Sequence, residues 1–131
     1  METVLKKASE AVPVRVVDDQ VLTPTFTGDL AEAVSKLIRT EAYGLYHVSA
    51  EGECSWYEFA RKIFELGKLT VDLRPVTTTE FPSPVQRPAY SVLSKQKLTQ
   101  LGIAMKTWQD GLASYLGARR DARKTVNTTV L

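Results

Sequence analysis

The spacing of apolar residues along this chain changes several times, and each change marks an element. Val14, Val16 and Val17 flank Arg15 in a β-branched run, which predicts a strand buried on both faces of a parallel sheet. From Thr27 to about Thr40 the spacing becomes helical. Leu30, Val34, Leu37 and Ile38 fall at i, i+4, i+7 and i+8, with Glu32, Lys36 and Arg39 elsewhere. Gly44 stops that pattern, and Leu45 to Val48 reads as a second strand. Ser55 with Glu58 makes a capping box. It opens a helix at Trp56 with Phe59, Ala60, Ile63 and Leu66 as its buried stripe and Gly67 at the C′ position. Val71 to Val76 reads as a third strand, at an edge because Pro75 cannot donate to a ladder. Ser94 caps a short helix through Leu101 that Gly102 stops, and Thr107 with Asp110 opens a last helix through about Leu116. Thr3 to Glu10 adds a short helix ahead of Pro13. This order of helices and strands predicts an α/β layered structure.

The stretch between the first strand and the first long helix, Val16 to Asp29, is the most informative. The strand ends in a carboxylate pair, Asp18 and Asp19, and Pro24 stiffens the polar loop that follows. Thr25 or Thr27 can N-cap the helix, and Asp29 complements its dipole. Strand, polar loop and helix start suit an anion or a sugar, because unpaired N–H groups face out of the turn. The same layout also serves as an ordinary connection. Asp18 and Asp19 point to opposite faces, so they do not form an acid–base dyad. The second long loop, Thr77 to Pro88, has no periodicity and is of the length that carries function or mobility.

Four segments in continuous order carry a family resemblance. They are Asp18-Asp19-Gln20 with Pro24-Thr25, Thr27 and Asp29-Leu30-Ala31; Gly44-Leu45-Tyr46-His47-Val48; Gly52-Glu53-Cys54-Ser55-Trp56-Tyr57-Glu58-Phe59-Ala60; and Arg87-Pro88-Ala89-Tyr90-Ser91-Val92-Leu93-Ser94. Together they resemble the C-terminal part of dTDP-4-dehydrorhamnose reductase, an extended short-chain dehydrogenase/reductase. Leu22 departs from the pattern, since the family usually has Gly there, and a Gly with positive φ would steer the loop differently. The resemblance implies an α/β fold with a small mixed sheet and four to five helices, the substrate-binding lobe without its Rossmann half. Residues 1–116 would be that nucleotide-sugar lobe and residues 117–131 a flexible basic tail. The opening helix would then be the end of a longer one, so that the chain begins in mid-protein.

Composition narrows the alternatives. The 131 residues make one domain's worth of chain, 44% hydrophobic and 24% charged, as in soluble globular proteins. No apolar run reaches the roughly 20 residues that cross a bilayer, and no signal-peptide pattern opens the chain. Cys54 is the single cysteine, which favours a reducing, cytoplasmic setting. The net charge of +2 is uneven: Arg119, Arg120, Arg123 and Lys124 against Asp121 put +3 on the tail and leave −1 on the body. A body of that charge does not predict a nucleic-acid partner.

Missing motifs bear on chemistry. No glycine-rich phosphate loop follows a strand. Tyr43, Tyr46, Tyr57, Tyr90 and Tyr115 are followed four residues later by His47, Ala50, Arg61, Ser94 and Arg119, so no Tyr-x-x-x-Lys pair exists. The family implies that pair as its general acid and the lysine that lowers the tyrosine's pKa. One His and one Cys give no metal-ligand spacing, and a His47–Cys54 dyad is a remote alternative to a half-buried thiol and a strand-end imidazole. The chain alone is therefore expected to be inactive and to bind no cofactor, with NADPH implied for the missing half.

By the resemblance, Arg87 contacts the substrate diphosphate; a guanidinium fork matches phosphate oxygens, although a surface arginine would look the same. Tyr90 lines that pocket or merely packs. Gln20 and Thr25 hydrogen-bond sugar hydroxyls or, as we favour, close their loop. Trp56 and Tyr57 could stack on a base, with a core role favoured for Trp56. The first functional reading is the dTDP-sugar-binding part of the reductase, present as a fragment or one piece of a split gene. The full enzyme would pass hydride from NADPH to the 4-keto carbon of dTDP-4-dehydro-L-rhamnose. The alternative is a non-catalytic interaction or regulatory module, as in the methionine adenosyltransferase regulatory subunit, which resembles these reductases. An ordered amphipathic helix over Arg119 to Lys124 would favour the module, and a disordered tail the fragment. Apolar faces left uncovered, such as Val14 to Val17, predict a homodimer.

Overall fold

The structure is a computed structural model that describes residues 13–81 and 85–128. The expected helix over Thr3 to Glu10 lies outside those residues. The chain forms two compact units: residues 13–24 with 52–94, and residues 25–51 with 95–128.

In the first unit β1 (Val14–Val17) pairs in parallel with β4 (Leu73–Val76), in the register Val14↔Leu73, Arg15↔Arg74, Val16↔Pro75 and Val17↔Val76. Pro75 is tolerated because the sheet has two strands and both are edges. For the same reason β1 is not buried on both faces: Val14 is buried, Val16 and Val17 are half-buried and Arg15 is exposed. A second sheet pairs β2 (Val21–Leu22) with β3 (Cys54–Ser55) in antiparallel fashion. Strands of two residues are too short to leave a periodic signal.

α2 (Trp56–Gly67) packs on β1, β3 and β4. Its capping box forms as the sequence predicts: Glu58 N donates to Ser55 Oγ at 3.0 Å, and Ser55 N donates to Glu58 Oε2 at 2.9 Å. Ala60, Ile63 and Phe64 are its buried residues, so the stripe lies toward Phe64 rather than Phe59 and Leu66, which are half-buried. Trp56 is 37% exposed and meets Phe59 edge-on, ring centroids 6.4 Å apart, which places it outside the core. The left-handed C-terminal residue is Lys68 (φ 54°), one position beyond the expected Gly67.

The second unit holds three helices, α1 (Thr27–Leu37), α3 (Gln96–Gln100) and α4 (Trp108–Thr128). Ala33, Leu98, Ile103 and Met105 make its core, with Leu37 and Val48 packed against them. On α1 the inward face runs through Asp29, Ala33 and Leu37 rather than along the Leu30–Val34–Ile38 line. Ala33 and Leu37 pack with Leu98, Ile103 and Met105, Lys106 Nζ donates to Asp29 Oδ1 at 2.7 Å on the same face, and Ile38 is left 74% exposed. Neither Thr25 nor Thr27 caps α1, since Phe26 holds the N-cap position. Lys95, not Ser94, holds that position on α3. Gly102 ends the α3 turn as expected, at φ 71°.

Leu45 to Val48 forms no strand, since none of the described residues pairs with it in a ladder. The segment just beyond is held instead by the residues that enter α4: Glu51 N donates to Lys106 O at 2.8 Å, and Trp108 N to Glu51 O at 3.0 Å. On α4 Trp108, Leu112 and Leu116 are buried, one stripe at i, i+4 and i+8. The helix does not stop near Leu116 but continues to Thr128. Gly117 costs about 1 kcal/mol in a helix, yet the residues after it are rich in Ala, Arg and Lys, which are strong helix formers.

Candidate functional site

The loop after β1 is held by side-chain hydrogen bonds, most of them to other side chains. Asp18 and Asp19 diverge as alternation requires. Asp18 Oδ1 accepts Ser55 Oγ at 2.5 Å, which ties the end of β1 to the cap of α2. Asp19 accepts Thr78 N at 2.9 Å and Thr78 Oγ1 at 2.6 Å. Those hydrogen bonds, the side-chain one first, hold the Asp19 carboxyl below its ordinary range. Gln20 is buried, and its Nε2 donates to the same Thr78 Oγ1 at 3.0 Å. A further capping box on the turn Thr78–Glu80, between Thr77 and Glu80, fixes the start of the second loop. Gln20 thus closes a loop against Thr78. Thr25 does comparable work in the second unit, where its Oγ1 accepts Ala50 N at 3.1 Å.

Three backbones run side by side around β2. On one edge Val21 and Leu22 pair with Ser55 and Cys54. On the other, Val21 bridges to Tyr90 in parallel: Val21 N donates to Ala89 O at 2.8 Å, and Ser91 N donates to Val21 O at 3.0 Å. Ser91 Oγ adds a contact to the same carbonyl at 3.1 Å. The chain therefore leaves its loop along an ordered strand edge at Ala89–Ser91, just after Arg87 and Pro88, with Arg87 and Tyr90 both exposed. Across β2 the Tyr90 hydroxyl donates to Glu53 Oε2 at 2.7 Å. That bond, followed by desolvation and the Glu53 charge, raises the tyrosine's pKa above its usual value.

Gln20, Arg87 and Tyr90 thus lie in the first unit, with Gln20 next to β2 in the chain and Tyr90 bridged to it, while Thr25 belongs to the second unit. Glu53 and Ser91 are partners that single-residue reasoning passed over, although both lie in the segments that carry the family resemblance. Burial and then the Glu58 charge push the Cys54 thiol up to about 12. It stays protonated at neutral pH and is no nucleophile. His47 is exposed in the second unit. Among the described residues no three His, Cys, Asp or Glu side chains gather as a metal-ligand set. No helix among them is long and apolar enough to cross a membrane.

Known proteins resemble this chain in sequence and in fold. The family described as the RmlD substrate binding domain matches residues 1–120. The spore coat polysaccharide biosynthesis protein SpsK of Bacillus subtilis (strain 168) is 47% identical over 122 residues, which cover 93% of this chain and 43% of SpsK. The dTDP-4-dehydrorhamnose reductase of Mycobacterium tuberculosis (strain ATCC 25618 / H37Rv) is 38% identical over 108 residues, 80% of this chain and 36% of that protein. Among solved structures, the Bacillus anthracis dTDP-4-dehydrorhamnose reductase in complex with NADP aligns with a TM-score of 0.83 at 40% identity. The alignment covers 88% of this chain and 41% of that one. The Clostridium acetobutylicum dTDP-4-dehydrorhamnose reductase ortholog aligns with a TM-score of 0.84 at 39% identity, covering 91% and 43%. The chain spans about two fifths of the length of these relatives.

Proposed function

Because this chain belongs to the RmlD substrate binding domain family, we propose that it supplies the dTDP-sugar-binding part of a dTDP-4-dehydrorhamnose reductase. In the full enzyme, NADPH would reduce dTDP-4-dehydro-L-rhamnose to dTDP-L-rhamnose. The observation that carries this reading is the ordered Ala89–Ser91 edge on β2, two residues after Arg87 and in the midst of a family match covering residues 1–120. Arg87 pairs with the substrate diphosphate, and Tyr90 lines the same surface. Gln20 and Thr25 close the chain locally, Gln20 by its bond to Thr78 in the first unit and Thr25 by its bond to Ala50 in the second. NADPH belongs to the portion of the relatives that this chain does not span. The setting we infer is cytoplasmic, with neither nucleic acid nor membrane as a partner.

Calorimetric titration of the chain tests this directly. We expect binding of dTDP that falls at least tenfold in Arg87→Ala, with no heat from NADPH. Binding of NADPH, or none of dTDP, would contradict the proposal.

One observation favours the second reading, a non-catalytic interaction module. Helix α4 runs on through the basic stretch to Thr128, which is the form a partner surface would take. Self-association fits either reading, since Val34, Ile38, Tyr43 and Leu45 of the second unit are all exposed, Tyr43 at 92%. These residues, rather than the largely covered β1, are the apolar surface on which a homodimer would form. Light scattering at high concentration would return a dimer mass if so and a monomer mass if not.

A further inference from the structure

The Tyr90 side chain is tethered at both ends and open in the middle. At one end its backbone bridges to Val21, with bonds through Ala89 and Ser91 on either side. At the other its hydroxyl is held by Glu53. Glu53 is itself fixed. Thr23 Oγ1 donates to the Gly52 carbonyl at 3.0 Å just before it, and Cys54 just after it pairs with Leu22. Yet Tyr90 remains 59% exposed. An exposed tyrosine ordinarily samples several rotamers, and holding it in one costs entropy. Here that ordering is already in place before any ligand arrives, so a flat partner would meet a prepared surface.

We propose that Glu53 is a positioning residue that holds the Tyr90 ring as a stacking platform for the base of a nucleoside diphosphate. This deepens the nucleotide-sugar reading and rests on it. The platform lies three residues from Arg87 along a segment that Pro88 stiffens, so one ligand can present its base to Tyr90 and its phosphates to the guanidinium. Stacking is tolerant of base identity because every base has a π-face. The platform therefore distinguishes nucleoside diphosphates from inorganic pyrophosphate, and not one pyrimidine from another. The raised Tyr90 pKa agrees with a hydroxyl that remains a donor to Glu53 at neutral pH.

The test uses the full chain and three probes, dTDP, UDP and inorganic pyrophosphate, titrated by calorimetry. Tyr90→Ala should weaken dTDP and UDP by about tenfold, the ordinary worth of one stacked base, and leave pyrophosphate unchanged. Glu53→Ala and Tyr90→Phe should each weaken dTDP by a smaller and similar factor. Their double variant should be no worse than either, because both break one contact. Glu53→Gln, which can still accept the hydroxyl, should bind as the parent does. If Tyr90→Ala does not fold, Tyr90→Leu keeps apolar bulk without the flat ring and carries the same expectation. Equal loss of dTDP and pyrophosphate affinity, or no loss of either, overturns the platform. If dTDP binding depends on Arg87 but not on Tyr90 or Glu53, this inference falls and the nucleotide-sugar reading stands. If the parent chain binds no dTDP, both fall.

Discussion

Lys106 places its ammonium 2.7 Å from Asp29 Oδ1, and only the carboxylate is buried; the lysine side chain is 55% exposed. The bond joins the first turn of α1 to the segment that leads into α4. Removing the lysine strands a buried charge, which costs more than the pair itself contributes. Lys106→Ala should therefore lower the melting temperature more than Lys36→Ala, whose partner Glu32 is exposed. The hydrogen bond to Asp29 and its charge raise the Lys106 pKa above the ordinary 10.5. A raised lysine contributes its stability in full below the unfolded value and loses it as pH climbs through the folded one. The gap between parent and Lys106→Ala should thus hold steady at neutral pH and close above about pH 10.5 in alkaline denaturant melts.

The Asp19–Thr78 contact has the opposite sign. Its carboxyl is held below 3.8, so the stabilisation is present above that value and fades as pH falls through the lower, folded one. Thr78→Val removes the hydroxyl that bonds both Asp19 and Gln20. In urea melts it should be less stable than the parent at pH 7, with the deficit narrowing below about pH 4. A residual deficit should survive in acid, because the Gln20 bond does not titrate.

Two glycines of α4 should respond in opposite directions to alanine. A Cβ at Gly111 would stand 3.1 Å from Phe26 Cβ and 3.3 Å from Asp29 Oδ2, whereas nothing lies within 4 Å of one at Gly117. Gly111→Ala forces α1 and α4 apart near their starts and should destabilise by about 1 kcal/mol net of its better helix propensity. Gly117→Ala has no such conflict and should stabilise by about 0.5–1 kcal/mol. Thermal melts followed by circular dichroism would read both.

Cys54 offers a probe of the first unit. Its thiol is buried and pushed from 9.0 to about 12, which alone lowers the thiolate fraction at pH 8 by about a thousandfold. Native protein should react with an aromatic disulfide reagent far more slowly than protein in urea. Equal rates would mean that the β3–α2 junction opens readily.

What the sequence disclosed follows from how local each signal is. The Ser55–Glu58 capping box and the Val14–Val17 strand rest on neighbours within a few residues, and both formed where expected. Helix α4 outruns the expected end near Leu116 because the apolar pattern fades beyond Gly117 while the residues there still favour helix. Leu45 to Val48 has strand-like residues but no partner, and pairing is a property of the fold. Val34 and Ile38 fit an apolar stripe, yet the face that packs carries Ala33 and Leu37, against Leu98, Ile103 and Met105 far along the chain. The candidate site divides in the same way. Arg87 and Tyr90 stood out in a segment with a family pattern. Glu53, however, meets Tyr90 across 37 positions, and only the β2 pairings bring them together.

The central claim is that the Arg87–Ser91 edge of the first unit receives a nucleoside diphosphate. Amide chemical shifts of the isotope-labelled chain during titration with dTDP would test it most directly. The account predicts saturable shifts centred on Arg87, Ala89, Tyr90, Ser91 and Glu53. Shifts confined to α4, or none at millimolar dTDP, would contradict it.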